Sequence, residues 1–234
     1  VLFRSRASEY AASMGGSQIF LEPGEEMTVE QMLKGIAIGS GNDASVAMAE
    51  RIGGSEEAFV KMMNDKVKEL GLKNTVFKNT TGLPVKEHYS TAYDMAMMAK
   101  ELLKYDKITK FTGTYEDYLR EDTDKKFWLV NTNKLVRFYP GVDGLKTGFT
   151  NEAKYCLTAT AEKEGMRAIA VVFGAPTSKV RNAQVTKMLD YAFSQYQSHP
   201  MFKKDHPLGK AAISKGDKKR INAKARRRKD AKKT

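Results

Sequence analysis

Metal and disulfide chemistry are nearly closed to this sequence. Cys156 is its only cysteine, so no disulfide can form within the chain and no thiolate cluster can hold a metal. The three histidines, His88, His199 and His206, are scattered without ligand spacing, which argues against a zinc site. No apolar run approaches the roughly 20 residues that a membrane-spanning helix needs. The first six residues, Val1–Arg6, are too short and too charged for a signal peptide, and Val1 is not a natural start, so the chain is expected to be cut at this end. No serine is followed three places later by lysine.

What is present reads as a soluble globular protein, with 41% apolar and 29% charged residues. The net charge of +12 is unevenly placed. Residues 201–234 hold 14 Lys/Arg against 3 Asp/Glu, whereas the remaining 200 residues hold 26 against 25. The basicity therefore belongs to the tail and not to the body.

Along the body, helix signals come first. Thr28-Val29-Glu30-Gln31 is a capping box opening a helix through Met32, Ile36 and Ala37 that ends at Gly39. Asn42 is placed to cap a second helix, stopped by Gly53-Gly54. Ser55 caps a third, whose Phe59, Met62, Met63, Val67 and Leu70 follow a 3.6-residue period up to Gly71. Another begins near Ser90-Thr91. Strand-like pieces follow in 108–120 and 126–138, such as Phe127-Trp128-Leu129-Val130. Three further strands are expected over Val142–Phe149, Tyr155–Ala161 and Arg167–Phe173, the last two joined by a hairpin turn at Glu162-Lys163-Glu164-Gly165. Such short connections favour antiparallel pairing. Val180–Tyr196 reads as an amphipathic helix with Val185, Met188, Leu189, Ala192 and Phe193 inward. Helices grouped beside an antiparallel sheet give an α+β class. His199-Pro200 marks a boundary; Ala211-Ala212-Ile213 suggests one more strand, and residues 218–234 read as a solvated, disordered basic tail.

Two short motifs carry the chemistry. Ser40-Gly41-Asn42 sits between two helices, where such residues serve as connectors and caps. The same residues can equally present a hydroxyl and an amide to a cleft, Ser40 relaying a proton and Asn42 holding a substrate amide. Lys146-Thr147-Gly148 lies on the first of the three strands. It reads either as a strand end with a surface lysine or as a peptide-binding edge. In the second reading Gly148 lets another backbone approach, while Lys146 and Thr147 offer a cation and a hydroxyl to a carboxylate.

Taken with their surroundings, these motifs resemble a known family. The matching segments are Gly15-Gly16-Ser17, Leu33-Lys34-Gly35 leading into Ser40-Gly41-Asn42-Asp43-Ala44, Lys78-Asn79-Thr80-Thr81-Gly82-Leu83, His88 to Met95, Asn131-Thr132-Asn133, and Gly141 to Thr150. The chain resembles the serine-type D-Ala-D-Ala carboxypeptidases, the low-molecular-mass penicillin-binding proteins of the peptidase S11 family, and is similar to those of spore-forming Gram-positive bacteria. The resemblance implies an α+β penicillin-binding, β-lactamase-like transpeptidase fold with a helical subdomain and an antiparallel sheet. It implies a peptidoglycan pentapeptide ending in D-Ala-D-Ala as substrate, β-lactams as inhibitors, no cofactor, no metal and an extracytoplasmic location. In that reading Ser40 passes a proton to the leaving D-alanine, Asn42 orients the acyl side, Lys146 sets the electrostatics, Thr147 binds the terminal carboxylate, and Gly148 completes the substrate-binding strand. Arg181 is either a second carboxylate clamp or a solvated arginine at a helix start.

The family's third motif, Ser-x-x-Lys, supplies the nucleophile and its base, and this sequence does not contain it. The expectation is an N-terminally truncated chain, lacking the first strands and the nucleophile helix, and inactive. Residues 1–6 are expected to be a non-native junction, 7–198 a partial catalytic domain, 199–217 the start of a β-rich stalk, and 218–234 the basic tail. Two rival readings are a non-catalytic binder of the peptide or penicillin, and a nucleic-acid binder using Lys218–Lys233. The tail lacks interleaved aromatics, so a solvated segment is preferred to the last.

Overall fold

The structure is a computed structural model that describes residues 4–199, 206–212 and 220–224. The chain divides into two compact units, Val1–Tyr196 and Gln197–Thr234.

The first unit is α+β. Its helical part starts with a short strand, β1 (Arg4–Arg6), paired antiparallel with β2 (Glu26–Thr28). The segment expected to be a junction is therefore partly built in: Ser5 is fully buried and its hydroxyl donates to the Ala47 carbonyl at 3.3 Å. Helix α1 (Glu9–Ala12) is capped by Ser8. Helix α2 (Val29–Ala37) opens on the capping box, in which the Thr28 hydroxyl accepts from the Gln31 amide and Gln31 Oε1 accepts from the Thr28 amide. Helix α3 (Asn42–Gly53) is buried along most of its length, which its run of small residues Ala44, Ala47 and Ala49 permits. Helices α4 (Glu56–Glu69) and α5 (Ala92–Leu102) are capped by Ser55 and Thr91 as their sequence suggests. On α4 only Val67 of the expected stripe is buried, and Met62 is exposed.

The strand-like stretches resolve differently from their pattern. Residues Ile108–Thr112 form a short helix, α6, and Leu135–Phe138 another, α7. Between them β3 (Glu116–Leu119) and β4 (Phe127–Val130) make an antiparallel hairpin. Leu119 and Leu129 of that hairpin enter the core formed by Ile19, Met27, Met32, Ile38 and Val46.

The second core lies under the three-stranded antiparallel sheet β5 (Val142–Thr150), β6 (Lys154–Lys163) and β7 (Met166–Ala175), ordered β5-β6-β7. Glu164 and Gly165 both take positive φ, 50° and 75°. That conformation suits the two-residue turn between paired Lys163 and Met166. Leu157, Ala159, Ala170 and Val172 pack on Val185 and Leu189 of helix α8 (Ser178–Gln195). Met188 of the expected inward stripe is exposed.

In the second unit, β8 (Pro207–Ala212) pairs antiparallel with β9 (Arg220–Lys224). A strand over Arg220–Lys224 replaces the expected disordered tail there. Backbone pairing needs no apolar side chains, so composition alone did not reveal it. Ile213 and the remainder of the expected tail lie outside the described residues.

Candidate active site

The site is built where α2, α3 and β5 meet. Ser40 sits in the connector between α2 and α3 with φ +61°, in the left-handed region that non-glycine residues seldom adopt. Its neighbours pin it there: the Gly41 amide donates to the Gly35 carbonyl at 3.0 Å and the Asn42 amide to the Ser17 carbonyl at 2.8 Å. The corner is thus fixed from both sides.

Asn42 does not cap α3. Gly41 occupies the cap position without a side-chain bond, and Asn42 is the first helical residue. Its side-chain amide instead donates to the Gly15 carbonyl at 2.7 Å. Tertiary contact outcompetes the local cap, because the loop through Gly15 and Gly16 lies across the helix start. A Cβ on Gly16 would stand 2.8 Å from Asn42 Nδ2, and Gly16 has φ +81°, so a glycine is required there on both counts.

Asp43 holds the same loop from below. Its carboxylate is fully buried and accepts from the amides of Ile19, Leu21 and Ala44 at 2.8–3.1 Å. In the sequence Asp43 stands out only as part of the segment Ser40-Gly41-Asn42-Asp43-Ala44. An acidic residue in the first turn of a helix is a common dipole partner, and nothing in the pattern disclosed that it binds a distant loop.

Lys146 is not a surface lysine. It is partly buried, and its ammonium donates to Ser40 Oγ at 2.7 Å and to the Thr147 carbonyl at 2.9 Å. The two motifs therefore meet in space through these two side chains. Burial, with the Arg181 guanidinium nearby, pushes Lys146 down from the ordinary lysine value to about 8. The side-chain resonances of Lys146, followed by heteronuclear NMR, should titrate near pH 8. Arg181→Ala removes a positive neighbour and should move the midpoint upward; a midpoint at the ordinary lysine value in the parent chain would contradict this electrostatic picture.

Thr147 donates its hydroxyl to Thr132 Oγ1 at 2.7 Å. Two hydroxyls sharing one hydrogen bond leave one proton free to donate outward. Thr132 is held by its flanks: Asn131 donates to the carbonyls of Thr112 and Thr114, and Asn133 donates to the Gly144 carbonyl. Gly148 pairs with Cys156, and a Cβ placed on it would meet only Cys156 Cβ at 3.8 Å. Among the described residues no group crowds it, which leaves room for a second backbone to approach. Among the described residues β5 is an edge strand of its sheet.

Arg181 lies in the first turn of α8 and is buried, not solvated. It donates to Asn182 Oδ1 and, at 3.5 Å, to the Cys156 carbonyl. Among the described residues no carboxylate pairs with Lys146 or Arg181. Two cations beside a hydroxyl pair make a site suited to an anion. A cavity of about 450 Å³ adjoins Lys146 and Thr147, lined also by Met95, Gly148, Cys156 and Phe173 among others. Among the described residues no group of His, Cys, Asp or Glu is arranged to hold a metal ion.

The family model for D-alanyl-D-alanine carboxypeptidases matches residues 4–177. The chain is 76% identical over 216 residues to the D-alanyl-D-alanine carboxypeptidase DacF of Bacillus subtilis, covering 92% of this chain and 56% of that protein. It is 40% identical over 185 residues to DacA of Escherichia coli, covering 79% of this chain and 45% of that one. Among solved structures it superposes on penicillin binding protein 5 of Haemophilus influenzae with a TM-score of 0.78 at 31% identity, covering 94% of this chain and 64% of that one. The chain spans about half the length of the curated relatives it matches.

Proposed function

The chain belongs to the D-alanyl-D-alanine carboxypeptidase family, and on that premise we propose that the protein it comes from trims the terminal D-alanine of peptidoglycan stem peptides through an acyl-serine intermediate. The observation that carries this reading is the junction of Ser40 with Lys146 at 2.7 Å beside Thr147, Gly148 and Arg181. A peptide ending in D-Ala-D-Ala lies along the edge of β5. Its terminal carboxylate meets the free proton of the Thr132–Thr147 hydroxyl pair in the field of Lys146 and Arg181. Only a chain end carries such a carboxylate, which suits a carboxypeptidase. Ser40 passes a proton to the departing amine, and Asn42 orients the acyl side. Penicillins, which combine a strained amide with a carboxylate, compete for the same place.

The 234 residues supply these walls without the serine and lysine of a Ser-x-x-Lys pair. In this proposal the chain by itself binds the peptide and does not turn it over. Residues 7–198 are its portion of the catalytic domain, 199–217 lead into a stalk, and the parent protein works outside the cytoplasmic membrane, where its substrate lies. Measured as D-alanine release from an acylated D-Ala-D-Ala peptide, the isolated chain should give no turnover at neutral pH. Release at the rate of an ordinary enzyme would refute the claim that its nucleophile is absent.

A further inference from the structure

We propose that Ser40 and Lys146 form a serine–lysine dyad of their own, able to accept an acyl group on Ser40 Oγ from a small activated ester. This activity is separate from the carboxypeptidase reaction, in which Ser40 only relays a proton.

The geometry has the parts that an activated nucleophile needs. The hydroxyl and the amine are in direct contact at 2.7 Å. The amine is oriented by a third group, the Thr147 carbonyl, which accepts from it at 2.9 Å. The serine stands on a corner with φ +61°, held by the bonds of Gly41 to Gly35 and of Asn42 to Ser17. Backbone held in such a region points to a function when the surroundings over-determine it, as they do here. A cavity lies on the other side of Lys146, lined by that residue with Met95, Leu157 and Phe173 as apolar walls; Ser40 is not part of its lining, so the acyl donor reaches Ser40 at the cavity's Lys146 edge.

The groups facing Lys146 decide its protonation. From the α2–α3 connector it meets Ser40, from its own strand the Thr147 carbonyl, and from α8 the Arg181 charge. Cys156 of β6 lines the same cavity. Burial and Arg181 lower Lys146 to about 8, so the neutral amine is within reach of mildly alkaline solution. In the charged form Lys146 donates to Ser40 Oγ. In the neutral form it accepts the serine proton.

The step balances without a further reactant. Neutral Lys146 takes the proton from Ser40 Oγ as the oxygen bonds to the ester carbonyl carbon. The tetrahedral oxyanion collapses, the carbon–oxygen bond to the aryl oxide breaks, and the proton leaves Nζ for the aryl oxide or for water. Water then hydrolyses the serine ester, with Lys146 again as base.

The test uses the full 234-residue chain with p-nitrophenyl acetate across a pH series, read by intact mass and by peptide mapping. The expected result is acetyl on the peptide holding Ser40, at a rate that rises through about pH 8 and then levels. Ser40→Gly tolerates the positive φ and lacks the hydroxyl, so it should lose that adduct while keeping the fold. Lys146→Met should slow acetylation of Ser40 by about 100-fold, the scale of a general base, and Lys146→Arg, which keeps the charge and cannot act as a base, should be as slow. Acetyl found only on Cys156 or on surface lysines, or on Ser40 at equal rates in the Lys146 variants, would overturn the dyad. Either failure leaves the carboxypeptidase reading standing, because that reading asks no nucleophilic attack of Ser40.

Discussion

Incubated with a fluorescent penicillin at neutral pH and resolved on a denaturing gel, the 234-residue chain should carry no label. Removing a nucleophile from a serine hydrolase lowers turnover by something on the order of 10⁶, and removing the base as well adds little because the two act as one unit. In the proposed reading the walls that remain stabilise charge and position the ligand, and the bond-forming groups lie elsewhere. Thr147 and Thr132 can hold a carboxylate, and Lys146 sits beside Ser40 at 2.7 Å. At neutral pH, however, Lys146 is mostly an ammonium, since it titrates near 8. Ser40 therefore meets the neutral amine in only a minor fraction of molecules under the conditions of the experiment. A labelled band that survives boiling and persists in Ser40→Gly would show that the chain carries another penicillin-reactive nucleophile and would overturn the proposed division between this stretch and the missing motif.

The second large effect is on stability. Asp43→Ala should lower the free energy of unfolding by about 3 kcal/mol or more. The carboxylate accepts from Ile19, Leu21 and Ala44, all three of them buried. Without it, three buried amides lose their acceptor, each at roughly 1–3 kcal/mol. The favourable contact between an acidic residue and the start of α3 is lost too. Asp43→Asn keeps one acceptor oxygen and should lose less. Urea unfolding followed by circular dichroism measures both. A midpoint for Asp43→Ala equal to that of the parent chain would mean that the loop from Gly15 to Leu21 is held by other contacts. The variant should also weaken ligand binding, because the loop it releases is the one whose Gly15 carbonyl fixes the Asn42 side chain.

Much of this framework could be read in the sequence where the signal is local. The caps at Thr28, Ser55 and Thr91 depend on a side chain and an amide three residues on, and each is found where the sequence placed it. The β6–β7 hairpin was legible from Glu164-Gly165 between alternating apolar runs. What stayed hidden depends on distant partners. Asn42 looked like a cap because its type favours caps, but the Gly15 carbonyl claims its side chain. Thr132 had no pattern of its own; its place beside Thr147 comes from Asn131 and Asn133 bonding to backbone on neighbouring segments. The short helices α6 and α7 are too brief for periodicity to separate them from strands. Arg181 could be read as clamp or as solvated residue, and its burial in the first turn of α8 decides against solvation.

The central claim is that the cleft recognises a chain end through its carboxylate. Isothermal titration of the isolated chain with an acylated D-Ala-D-Ala peptide, beside the same peptide capped as a C-terminal amide, tests it most directly. The account expects saturable binding of the free acid, lost on amidation and weakened by Thr147→Val and by Arg181→Ala. Equal binding of acid and amide, or no binding of either by the folded chain, would contradict it.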